Sequence, residues 1–219
     1  MKQRILVEGA DFHLLVQVCL NAGIKGLPQG FASKADFEKD FVVTQRKVGK
    51  REVLKEISPT VKSSGITHLG IVVDADDSAP STWQSVKAKL EKLGYQNLPA
   101  TPLPDGIVAQ SSILHYPQIG VWIMPDNENQ RAIEDFFLTL VDPVDARMNK
   151  AKTTVSEVIE SKLNLFSETT RAKADVHTWL AWQEEPGRSM GIAVKSGLLN
   201  LEHDLAKRFV GWFTRTFQF

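Results

Sequence analysis

Apolar positions follow two patterns along this chain. Up to about residue 140, short continuous apolar runs alternate with segments whose apolar residues recur every three or four positions; beyond residue 142 only the second pattern persists. Continuous short runs suit strands buried on both faces of a parallel sheet, and the three-to-four spacing suits amphipathic helices. The first run, Arg4-Ile5-Leu6-Val7-Glu8-Gly9, predicts a strand closed by a carboxylate and by a glycine that permits a sharp exit. Phe12, Leu15, Val16, Cys19 and Leu20 then keep helical spacing until Asn21-Ala22-Gly23, which reads as a helix end. Residues 23–40 contain Gly23, Gly26, Pro28 and Gly30 and are expected to form a loop near the sheet edge, either covering a site or simply connecting.

Phe41-Val42-Val43-Thr44 predicts a second strand, followed by a helix from about residue 50 to 61. Gly70-Ile71-Val72-Val73 predicts a third, running straight into Asp74, Asp76 and Asp77. Pro80, Ser81 and Thr82 suit a helix start, and Trp83, Val86, Leu90 and Leu93 form an apolar stripe that Gly94 ends. Residues 98–106 hold three prolines and a glycine and predict a rigid loop. Residues 107–114 and 120–124 read as two strands joined near His115-Tyr116-Pro117. A helix beginning near Arg131 has Phe136, Phe137 and Leu140 as its apolar face and carries Glu134 and Asp135 a turn or more inside. Residues 144–165, 167–182 and 200–217 predict three further helices, with Pro186-Gly187 as a break. Trp179, Trp182, Phe209, Trp212, Phe213 and Phe217 are many large aromatics for helical surfaces, so most are expected to be buried. The expected fold is α/β. A mainly parallel sheet flanked by helices spans residues 1–141, with the strand ending at Asp74 central, and a helical extension over 142–219 packs on it.

Composition narrows the function. The chain has 219 residues, 26 basic and 26 acidic, so its formal charge is zero; this argues against coating nucleic acid through bulk charge but allows a local basic patch. No apolar run is long enough to cross a bilayer, and Met1-Lys2-Gln3-Arg4 leads straight into a strand rather than into a secretory signal, so a cytoplasmic protein without membrane contact is expected. The single cysteine, Cys19, lies on an apolar helix face and reads as core. The five histidines are scattered without zinc spacing, and neither a phosphate-cradling glycine loop ending in Lys-Ser/Thr nor a Gly-x-Ser-x-Gly elbow occurs.

The remaining chemistry is carboxylate chemistry. Ligands in open α/β sheets bind beyond the carboxyl ends of the strands, where Glu8 and the Asp74-Asp76-Asp77 group would lie. If the first and third strands are parallel neighbours, Glu8 and Asp74 meet. Crowded carboxylates require a compensating charge, and Mg²⁺, a hard ion that takes oxygen ligands, supplies it. Asp76, Asp77 and Ser78 equally suit a helix cap. Asp126 stands at another strand end, where it either joins this site or caps the following helix. Arg46, Lys47, Lys50, Arg51, Lys55 and Lys62 form the densest basic region, readable as a solvated helix face, in which Glu52 can pair with Lys55, or as a phosphate contact. Lys173 is the cation considered near the acidic site.

A Glu at the end of the first strand with Asp-x-Asp at the end of the third resembles the TOPRIM domain of topoisomerases, primases and the overcoming-lysogenization-defect nucleases. Over nearly its whole length the chain is similar to the DUF3226 family, through Val7-Glu8-Gly9, Val73-Asp74-Ala75-Asp76-Asp77, Trp122-Ile123-Met124-Pro125-Asp126-Asn127, Glu134-Asp135-Phe136, Leu180-Ala181-Trp182-Gln183 and Pro186-Gly187. The resemblance implies a TOPRIM-like fold with Glu8, Asp74 and Asp76 as catalytic residues binding Mg²⁺ or Mn²⁺. Asp77 and Asp126 are further candidate ligands, and Arg51, Lys55 and Lys173 candidate nucleic-acid contacts. Glu8 is read either as a metal ligand or as a general acid or base. The activity implied is a metal-dependent nuclease or related phosphotransfer enzyme. The alternative is a noncatalytic module that partners a protein such as an ATPase in a defence or repair system.

Overall fold

The structure, a computed structural model, describes residues 2–9, 12–23, 41–44 and 49–219. The loop expected over residues 23–40 lies almost wholly outside them, as do Arg46 and Lys47. The strands β1 (Lys2–Val7), β2 (Phe41–Thr44), β3 (Ile66–Asp74), β4 (Ile107–Ala109) and β5 (Gln118–Met124) form one sheet in the order β2-β1-β3-β5-β4. β1 pairs in parallel with β2 and β3, and β3 in parallel with β5; β4 is antiparallel at the edge. The strand ending at Asp74 is therefore central, and Val72 and Val73 are fully buried.

The pleat splits the core. Ile5, Val7, Val72, Trp122 and Met124 face one side, and Leu6, Leu69, Ile71, Val73, Ile119, Val121 and Ile123 face the other. Helix α1 (Phe12–Asn21) packs on the first side with Phe12, Leu14, Leu15, Val18 and Cys19. Helices α2 (Lys50–Val61) and α3 (Ala79–Lys92) pack on the second, through Val53, Ile57 and Val61 and through Trp83, Val86 and Leu90. The helices before and after β2 thus pack on opposite faces. β2 and β3 flank β1 on its two sides, which makes the β1–β3 pair the switch point where open α/β sheets form a crevice. Ser78 starts α3 by accepting the Ser81 N–H at 3.2 Å, and Gly94 follows its end at φ 85°.

Beyond the sheet lie α4 (Ile133–Leu140), α5 (Ala146–Glu160), a 3₁₀ turn at Glu168–Thr170, α6 (Arg171–Ala181), α7 (Met190–Lys195) and α8 (Asp204–Phe217). The helices are shorter than the apolar spacing predicted. The six residues of α7 make less than two turns, too few for a period to show. All these helices bury their apolar sides in the cluster that contains Ile5 and Val7. Trp179, Phe209, Trp212, Phe213 and Phe217 are buried as expected, whereas Trp182 remains 39% exposed. The strand expected over residues 107–114 stops at Ala109. Among the described strands β4 has a neighbour on one side alone, and the chain then turns through Ser111 and Ser112 to His115 at φ 73°.

Helix α8 lies on the backbone of the central strands. A Cβ at Gly120 would collide with Thr216, and one at Gly70 would stand 2.8 Å from the Phe217 ring. The Gln118 amide donates to the carbonyls of Arg215 and Thr216 at 2.8 and 2.9 Å, and the Gln3 amide to the Phe217 carbonyl at 3.0 Å. Among the described residues no helix is long and apolar enough to cross a membrane.

Candidate functional site

β1 ends at Val7, but the Glu8 N–H extends the ladder by one bond to the Val72 carbonyl at 3.0 Å. Gly9, at φ 81°, then turns the chain away, a conformation that costs other residues strain. Glu8 is left at the switch point with both carboxylate oxygens engaged. Oε2 accepts the Asp74 N–H at 3.0 Å and Oε1 accepts the Lys50 N–H at 2.7 Å. One carboxylate therefore joins the end of β1 to the end of β3 and to the first residue of α2.

Asp74 closes β3. Its Oδ1 accepts the Ile133 N–H at 3.2 Å, at the start of α4. The Ala75 N–H continues to the Met124 carbonyl at 3.0 Å. Asp76 takes a left-handed backbone, φ 52°, and its N–H and carbonyl exchange hydrogen bonds with Arg131 at 3.0 and 2.6 Å. Its carboxylate meets the Lys50 ammonium at 2.7 Å. That ammonium also donates to Thr82 Oγ1 at 2.8 Å and to the Ala75 carbonyl at 3.4 Å, while the Thr82 hydroxyl donates to the same carbonyl at 3.1 Å.

The electrostatics follow from this crowding. The Asp74 carboxyl is pushed up to about 8, first by burial and then by the charges of Glu8, Glu134 and Asp76, against the pull of the Ile133 N–H. Glu8 is also raised: burial outweighs the N–H groups of Asp74 and Lys50, which favour its ionised form. Glu134 is buried in the first turn of α4, not a turn inside as its sequence position suggested, because the helix begins only at Ile133. Lys173 lies 3.4 Å from it, so this cation reaches the acidic group through Glu134.

The other candidates are placed as follows. Asp77 is exposed and lines, with Asp76, Arg131, Ala132 and Thr169, a cleft of about 230 Å³. Asp126 has both oxygens engaged in its own turn: Oδ1 accepts the N–H groups of Glu128 and Asn129 at 3.0 and 2.8 Å, and Oδ2 the Asn129 side-chain amide at 2.6 Å. Burial pushes its carboxyl upward, but these Asn129 and Glu128 donors together hold it below the ordinary range. Arg51 and Lys55 are exposed on α2, and Lys55 pairs with Glu52 at 2.5 Å. Sequence reasoning missed Lys50 and Glu134 as site residues. Lys50 belonged to the basic stretch that was noticed; its distinguishing signal is its place as the first residue of a helix aimed at the strand ends.

Among the described residues, no three His, Cys, Asp or Glu side chains are grouped as a metal site requires. The donors nearest one another are carboxylates, the ligand type that a hard divalent cation takes, but they do not form a complete ligand set. The available atoms are carboxylate oxygens, and Asp74 stands among anions whose mutual repulsion a cation relieves. A family model described as a protein of unknown function, DUF3226, matches residues 2–218. No curated protein and no solved structure matches.

Proposed function

The chain belongs to the DUF3226 family, and we propose that it is a TOPRIM-type enzyme that hydrolyses nucleic-acid phosphodiesters with Mg²⁺ or Mn²⁺. The observation that carries this reading is Asp74, a carboxyl at a central strand end with Glu8, Asp76 and Glu134 around it. Such crowding costs stability and is expected where a cation is to be held. Asp74 and Asp76 would hold the ion with Glu8 beside them. A divalent ion held by these residues would supply neutralisation of phosphate charge and activation of water. The protein's own part is geometric. Glu8 locks the ends of β1, β3 and α2 into one unit, Ile133 orients Asp74, and Lys50 supplies a fixed positive charge. Arg51, exposed one residue further along α2, would serve in this reading as a phosphate contact.

The test incubates the purified protein with single-stranded, duplex and supercoiled DNA and with RNA, each with Mg²⁺ or Mn²⁺. Cleavage that disappears with chelator and in Asp74→Asn supports the reading. A second reading, a noncatalytic module that docks a partner such as an ATPase, draws on Glu8, whose oxygens are both committed to backbone N–H groups as in a purely structural role. Absence of cleavage on every substrate, with and without the partner, favours it.

A further inference from the structure

We infer that the cleft between the end of α4 and the starts of α5 and α8 binds a small zwitterion, an α-amino acid with a large apolar side chain. The cleft stands apart from the strand-end carboxylates: the first residue of α4 meets Asp74, whereas the cleft lies at the last turn of that helix, whose eight residues span about 12 Å. Binding there needs neither metal nor nucleic acid.

The cleft holds about 310 Å³, against about 230 Å³ for the one beside Asp76 and Asp77. Small-molecule sites run from roughly 300 to 1,000 Å³, so this one suits a molecule at the small end of that class. Its floor is apolar: Val141 and Met148 are buried and Leu138 is half-buried. Around that floor stand four polar groups with bonding capacity that no described residue takes up. The Lys152 ammonium has neither a hydrogen bond nor an ion pair and acts on buried Asp175 of α6 through charge alone, whereas Lys150 of the same helix pairs with Glu157 at 3.9 Å. The Asn149 side-chain amide is likewise without a described partner. Asp142 Oδ1 accepts the Val144 N–H at 3.0 Å and leaves Oδ2 open. His203 Nδ1 accepts the Leu205 N–H at 3.1 Å, which puts the proton of the neutral ring on Nε2 and makes that atom a donor.

The signs and positions of these groups select the ligand. Asn149 and Lys152 are three residues apart and share one face of α5, so their donors serve one anionic group, with His203 Nε2 as a further donor. Asp142, which precedes α5, is the single carboxylate of the lining and serves one cationic group. Asp142 and Lys152 do not pair with each other, so a ligand that carries both charges bridges them. A divalent cation would find one carboxylate near an ammonium, and a simple anion would meet Asp142 and gain nothing from the floor. An α-amino acid satisfies every part: its carboxylate meets Lys152 and Asn149, its ammonium meets Asp142 Oδ2, and its side chain covers Val141, Met148 and Leu138.

The experiment titrates the full chain with leucine, methionine, phenylalanine and glycine, and with leucine amide and N-acetylleucine, by saturation-transfer NMR and calorimetry. The three apolar amino acids are expected to bind and glycine is not. Leucine amide, which lacks the carboxylate, and N-acetylleucine, which lacks the ammonium, are each expected to bind about tenfold more weakly or worse than leucine, as loss of a charge-assisted hydrogen bond requires. Lys152→Met and Asp142→Asn, both at exposed positions and checked for native circular dichroism, then separate the two ends of the ligand. Lys152→Met is expected to lose the preference for leucine over its amide and keep that over N-acetylleucine; Asp142→Asn is expected to do the reverse. This crossed pattern cannot arise from a general loss of structure. Absence of binding by all three apolar amino acids at millimolar concentration, equal binding of leucine and both of its derivatives, or preferences unchanged in both variants overturns the assignment.

Discussion

Asp74, the last residue of β3, accepts the N–H of Ile133, the first residue of α4, at 3.2 Å. The end of the central strand thus supplies the side chain that caps a helix from a distant part of the chain. Asp74 receives a stabilising N–H from that helix, but also the charge of Glu134 in its first turn.

The balance is visible in stability. The Asp74 carboxyl is raised from 3.8 to about 8, so between these values the native state retains a proton that the unfolded chain releases. Its contribution is fully present below about pH 4 and is lost as pH rises through about 8. Asp74→Asn removes the ionisation and keeps an oxygen for the Ile133 N–H. Urea denaturation is expected to give the two proteins similar stability near pH 4, with the variant more stable at pH 8 by about 5 kcal/mol at most, the full linkage of this shift. A wild type that gains on the variant as pH rises would refute this.

Metal binding should release protons. A carboxyl that titrates near 8 is largely protonated at neutral pH and must ionise to serve as a ligand. Calorimetry of Mn²⁺ binding at pH 7 in two buffers of different ionisation enthalpy is expected to show roughly one proton released per ion. Proton release that is unchanged in Asp74→Asn would place the titrating group elsewhere.

Two aspartates at strand ends should separate by phenotype. Under the proposed metal-dependent hydrolysis, Asp74→Asn is expected to lower cleavage by about a hundredfold or more, as loss of a metal ligand would. Asp126→Asn is expected to keep activity and lose about 1 kcal/mol of stability, because the Asp126 carboxylate closes the turn through Glu128 and Asn129. Parallel activity and melting measurements decide between these assignments.

The basic face of α2 gives a graded expectation. Arg51→Ala should lower the slope of log affinity for DNA against log salt by about one, the signature of one lost phosphate contact. Lys55→Ala should lower it less, because that ammonium is already paired with Glu52. Equal slopes in wild type and Arg51→Ala would show that α2 does not meet the backbone.

The seat of α8 is testable without substrate. Gly120→Ala places a methyl group against Thr216 at a position enclosed by the sheet and the helix. A loss of about 2 kcal/mol in urea denaturation is expected from such overpacking. Unchanged stability would mean that α8 moves freely off the sheet.

Much of this was legible in the sequence because the sheet is buried on both faces. Runs such as Gly70-Ile71-Val72-Val73 announce central strands, and the order of strand–helix units brought Glu8 next to Asp74. The edge strand is shorter than its apolar run suggests, since such a run does not reveal that β4 has, among the described strands, a neighbour on one side alone. Glu134 lies nearer the helix start than expected because α4 opens only at Ile133, whose N–H is taken by Asp74, 59 residues earlier, while Asp135 accepts the Ala132 N–H. Lys50 escaped notice for a related reason: its partners, Glu8, Asp76 and Thr82, come from three separate segments that only the folded chain assembles.

The link between Gln3 and Phe217 has a consequence for synthesis. β1 is made long before Phe217, yet the face that it shares with β3 is closed by that residue, which stands against Gly70 beside Ile5. Until residues 204–217 are made, that face of the β1–β3 pair lacks the cover that Phe217 gives it, so one side of the sheet can be sealed only late in synthesis.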